Sequence, residues 1–131
     1  MQHYLGSWEL IPELSHYSAG APPEKGLYVI EKHGDLIRIR VSWVKDGQDM
    51  ATEFEAHPDG RQMPSGFPGV DSFSLLAEDD FTLSGDARAG GKVVSTALRR
   101  VARDGTLLSV LQENEVPGAG TMRIFQVYRR T

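Results

Sequence analysis

The sequence predicts an all-β fold, an antiparallel up-and-down meander of about nine or ten strands closed into a barrel. Three observations lead there. Turn signals recur at short intervals, at His33-Gly34-Asp35, Lys45-Asp46-Gly47-Gln48, Pro58-Asp59-Gly60, Glu78-Asp79-Asp80, Ala89-Gly90-Gly91, Asp104-Gly105 and Pro117-Gly118-Ala119-Gly120. The segments between them are rich in Val, Ile, Leu, Phe, Thr and Trp, which suit a pleated surface. No segment keeps a helical period over the length a helix needs.

The elements follow in order. Strands are expected near 4–10, 26–32, 36–44, 50–57, 73–78, 81–87, 92–102, 106–115 and 121–130, with a short one near 60–64. Pro12 to Ala19 is the one helical candidate, a single turn before the Ala21-Pro22-Pro23 break. Closure removes the exposed edges that an open meander would leave. A sandwich is the competing architecture, but it usually needs longer crossovers. The long connections are 11–25 and 61–72.

One hairpin can be read in register. Ile37, Ile39, Val41 and Trp43 share one face of their strand, and Arg38 and Arg40 the other. A four-residue loop at Lys45–Gln48 sets Val44 against Asp49. Arg40 then faces Glu53 and Arg38 faces Glu55, while Trp43, Val41 and Ile39 meet Met50, Thr52 and Phe54. Charges complement on one face and apolar groups meet on the other, as a barrel wall requires.

Composition narrows the function. The 131 residues suit one domain spanning the whole chain, 1–131. A formal charge of -4 argues against general nucleic-acid binding. The absence of cysteine removes disulfides, thiolate metal sites and iron–sulfur clusters. No run approaches a membrane span. No leader precedes the first strand, so a chain that starts natively at Met1 is expected in the cytoplasm.

Tyr4-Leu5-Gly6-Ser7-Trp8-Glu9-Leu10 resembles the Gly-x-Trp opening of the calycins, the lipocalins and cytosolic fatty-acid-binding proteins. Phe125 to Arg130 resembles the last strand of the fatty-acid-binding branch, which carries an Arg-x-Tyr pair. The middle resembles small bacterial lipocalin-like proteins. The resemblance implies a nearly closed barrel with an internal cavity and a small hydrophobic or amphipathic ligand. Two positions depart from the pattern. Segment 11–25 is too short and Pro-rich for the helix pair of that branch. Gln126 stands where its carboxylate-binding Arg falls, while Tyr128 is kept. A neutral Gln cannot make a charge-assisted, bidentate contact.

Gly6 and Trp8 are therefore the expected structural motif, with Trp8 plugging one end and Arg129 or Arg130 stacked on it. Trp43, Arg100, Gln126 and Tyr128 are the expected ligand-binding residues. Gln126 and Tyr128 share a strand face with Met122 and Ile124. Arg99 and Arg100 point to opposite faces, and an inward Arg100 would be the anion anchor. The four histidines show no metal-ligand spacing, and no catalytic constellation or cofactor motif is present. The apolar segment 61–71 suits a lid over the mouth or a contact with a second copy. Two other uses of such a barrel stay open, an isomerase or hydratase, and a ligand-free interaction domain with an outer patch around Phe67, Phe125 or Val127.

Overall fold

The computed structural model describes residues 2–131. Eleven strands form one antiparallel sheet. They are β1 (Gly6–Leu10), β2 (His16–Tyr17), β3 (Lys25–His33), β4 (Leu36–Lys45), β5 (Gln48–Ala56), β6 (Met63–Pro64), β7 (Ser72–Asp79), β8 (Thr82–Ala89), β9 (Lys92–Val101), β10 (Leu107–Val116) and β11 (Gly120–Arg130). Their order is β5-β4-β3-β1-β11-β10-β9-β8-β7-β6, with β2 also on β11. The expected meander is present, and the barrel is nearly closed.

Closure is made at two places. β1 pairs with both β3 and β11, joining the chain's two ends. Between β5 and β7 the ladder is missing, and the link at 58–60 takes its place. Gly60 N–H donates to the Leu75 carbonyl at 2.8 Å, and Ala77 N–H donates to the Pro58 carbonyl at 2.9 Å. Nearer the mouth, the Phe54 and Phe73 rings meet edge to face at 5.6 Å and seal that seam without a ladder.

The hairpin register holds in every pair, from Val44 with Asp49 to Arg38 with Glu55. Its turn is tighter than expected. Lys45 pairs with Gln48, and Asp46 (φ 52°) and Gly47 (φ 75°) form a two-residue connection of the type that matches strand twist. Arg38 reaches Glu55 at 3.2 Å as expected, but Arg40 turns to Glu31 on β3 at 3.2 Å.

Segment 11–18 departs from the expected helical turn. Only Pro12–Leu14 coils, as one 3-10 turn, and the chain resumes as β2. Proline fits the first helical position but the backbone is then recaptured by β11. Ile11 N–H donates to the Val127 carbonyl at 2.8 Å, and Val127 N–H donates to Ser15 Oγ at 3.1 Å. β1 and β2 thus run in line along β11.

One end of the barrel is solid. Tyr4, Trp8, Ile30, Ile37 and Leu108 are almost fully buried there. Trp8 Nε1 donates to the Tyr4 carbonyl at 3.1 Å. Arg130 covers the indole at 4.0 Å, and its guanidinium donates to the carbonyls of Gly105, Leu5 and His3. Gly6 is required beneath it, because φ is 138° and a Cβ would lie 2.7 Å from Arg130 Nη1. The opening Gly-x-Trp motif and the end of the last strand therefore form one plug. No helix among the described residues is long and apolar enough to cross a membrane.

Candidate functional site: a half-hollow barrel

The other end is hollow. Above the plug lies a cavity of about 530 Å³, within the roughly 300–1,000 Å³ usual for small-molecule sites. Strand parity puts apolar groups on its wall, among them Leu10, Val41, Phe54, Phe73 and Ile124. Ala21 and Pro23 from the 18–24 connection, and Phe67 and Val70 from the 65–71 loop, reach it at the mouth. Lys45 also stands on the lining, with its ammonium donating to the Ala21 carbonyl at 2.8 Å.

Two polar chains stand out on the lining, which also carries Thr52, Ser74, Asp86, Ser95, Thr96 and Gln112. The first begins at Arg99, which is 5% exposed. Its Nε donates to Tyr28 Oη at 2.6 Å. The guanidinium lies about 6 Å from the rings of Tyr28 and Phe54, at the limit of cation–π attraction. Nη1 is buried and has no hydrogen-bond partner among the described residues. None of the ion pairs among the described residues reaches this guanidinium.

The second chain runs along β11. Tyr128 Oη donates to Gln126 Oε1 at 3.0 Å, and Gln126 Nε2 donates to Tyr17 Oη at 2.7 Å. Burial pushes the Tyr128 phenol far above its ordinary range, and burial also raises Tyr17, against the lowering effect of the Gln126 amide. Both phenols stay protonated at neutral pH. The Tyr28 and Tyr128 rings meet edge to face at 5.3 Å, so the two chains touch. The cavity offers hydrogen-bond donors on a mostly apolar wall, and the Asp86 carboxylate, held by Gln62, Ser74 and Arg88, also stands on its lining.

The expected binding residues are placed as follows. Trp43, Gln126 and Tyr128 line the cavity. Arg100 does not, and its side chain is exposed on the outer wall. The inward residue is Arg99. The reason lies in the β9–β10 connection. Thr106 N–H and Oγ1 both donate to the Asp104 carboxylate, and Gly105 N–H donates to the Ala102 carbonyl. This turn spans 102–106, and it sets Val101 against Leu108. Val101 is buried, so parity carries Arg99 inward and Arg100 outward. Tyr17, Tyr28 and Arg99 are cavity groups that the sequence-based expectation did not include among the binding residues. Tyr28 alternates with the buried Ile30, a signal that was available.

No protein family's sequence pattern matches the chain, and no curated protein is similar to it in sequence. Solved structures are similar in shape. A secretory abundant heat soluble protein from Ramazzottius varieornatus matches at TM-score 0.65 and 13% identity, over 100% of this chain and 97% of its own. The Schistosoma mansoni fatty acid binding protein, solved with arachidonic acid, matches at TM-score 0.64 and 13% identity, over 100% and 98%. A zebrafish ileal bile acid-binding protein, solved with cholic acid, matches at TM-score 0.57 and 12% identity, over 98% and 99%. The shared feature is the up-and-down wall around a central space. The chain shares its barrel fold with these proteins.

Proposed function

We propose that the protein binds a small amphipathic molecule with an anionic head, such as a carboxylate, inside the barrel. The apolar wall takes the hydrocarbon part, and Arg99 with Tyr28 takes the head. The observation that carries this reading is the buried guanidinium. A buried cation is costly unless paired, and among the described residues Arg99 has a single phenol oxygen and two distant rings. A bound carboxylate supplies the missing charge and accepts from the free guanidinium edge. The fold relatives solved with arachidonic acid and cholic acid hold amphipathic acids, which supports the same class here. Gln126, neutral and engaged with two phenols, orients the wall and does not serve as the anchor.

The test is native mass spectrometry of gently purified protein, followed by displacement of a fluorescent hydrophobic probe. Dodecanoate is expected to compete at one site per chain and to outcompete dodecanol by roughly 10- to 100-fold, the strength of a charge-assisted contact. Absence of saturable binding, or equal competition by acid and alcohol, would overturn the proposal.

A further inference from the structure

Resting on that reading, we propose that the ligand carries a second oxygen acceptor near the middle of its chain, and that Tyr17 donates to it. The barrel then selects a mid-chain hydroxy or oxo acid. The protons of the second polar chain point there. Tyr128 is 1% exposed, and its hydroxyl finds one acceptor among the described residues, Gln126 Oε1 at 3.0 Å. In this contact Gln126 Oε1 faces Tyr128 and the amide nitrogen lies on the other side. Nε2 points to Tyr17, where it donates at 2.7 Å. The Tyr17 oxygen is therefore an acceptor in this contact, and its own proton goes to no described residue. Tyr17 lines the cavity, so the proton has the cavity to serve.

Position follows from the sheet. Arg99, Val110 and Gln126 form one row across β9, β10 and β11. Two inter-strand steps separate the outer members, so their backbones lie roughly 10 Å apart. Tyr17 pairs with Ile124, two residues further from the Trp8 plug. Tyr17 thus stands nearer the mouth than the row that holds Arg99, on the side toward which a chain anchored there extends. An oxygen buried there on the ligand costs affinity unless it is met by a donor.

Titration calorimetry with dodecanoate and a mid-chain hydroxydodecanoate, on wild type and Tyr17→Phe, tests the inference. Wild type is expected to bind the hydroxy acid at least as tightly as the plain acid. Tyr17→Phe is expected to lose five- to tenfold more affinity for the hydroxy acid than for the plain acid. Weaker wild-type binding of the hydroxy acid overturns the assignment, as does a Tyr17→Phe variant that alters both acids alike or neither. If both acids bind through Arg99 and these outcomes appear, the anion reading survives alone. If neither acid binds to wild type, both fall.

Discussion

Replacing Arg99 by Met should make the empty barrel more stable and the loaded barrel harder to form. Met keeps the length of the side chain and removes the charge. The favourable interactions it gives up are one charge-assisted hydrogen bond to Tyr28 at 2.6 Å and two approaches to aromatic rings near 6 Å. Together these are worth about 2–4 kcal/mol. Removing a cation that is only 5% exposed recovers a desolvation cost of several kcal/mol. The balance favours Arg99→Met by about 1–2 kcal/mol, a rise in Tm of roughly 4–10 °C for a domain of this size. Dodecanoate binding should weaken by roughly 10- to 100-fold, and dodecanol binding should hold. Urea unfolding of the ligand-free protein gives the first quantity, and probe displacement gives the second. An Arg99→Met protein that is less stable by about 1 kcal/mol or more and binds dodecanoate as before would overturn this balance, and would make Arg99 a structural strut.

Three further outcomes are expected. Arg130→Ala removes the cover of Trp8 and three hydrogen bonds to carbonyls, and should lower stability by about 2 kcal/mol in urea unfolding, with Trp8 fluorescence shifted to the red. Gly85→Ala drives a Cβ into the Ser74 carbonyl of the neighbouring strand, and should cost about 2–3 kcal/mol or more, read as a fall in Tm. Asp86 holds Gln62, Ser74 and Arg88; burial pushes its carboxyl up, but the three donors outweigh it and the net pKa is depressed. Its contribution to stability is then full above the ordinary carboxylate pKa of about 4 and is lost as pH falls through the lower folded value. The gap in stability between wild type and Asp86→Asn should be constant at neutral pH and shrink toward zero in acid.

The wall of the barrel was legible where both faces of a strand carried pattern. Segment 36–56 alternates charge against apolar residue on each strand, and a one-residue slip would have buried Arg38 and Arg40. Its register could be written down from sequence and is the register of β4 and β5. The plug was legible through the resemblance of the Gly-x-Trp opening to the calycins, which left Arg129 and Arg130 as alternatives; the arginine over Trp8 is Arg130. β9 was illegible. Val93, Val94, Ser95, Thr96, Ala97 and Leu98 give no alternation, so the parity of Arg99 and Arg100 hung on a turn whose length was set by the Asp104 carboxylate. β2 was hidden for another reason. Two residues carry no periodicity, and the capture of His16 and Tyr17 by β11 is long-range. Both failures fall on the cavity, where polar groups break the apolar pattern that makes strands readable.

The same departure from pattern marks the site. The solid half of the barrel is filled mainly by large apolar side chains, and the hollow half keeps, beside Tyr17, Tyr28 and Tyr128, a buried arginine that an ordinary core would exclude. A structure determined with dodecanoate tests the buried anchor most directly. One acid is expected inside the barrel, with a carboxylate oxygen within about 3 Å of the Arg99 guanidinium and the tail running toward Phe67 and Val70. A carboxylate seated on Lys45 at the mouth, or a barrel that stays closed to the acid, would contradict it.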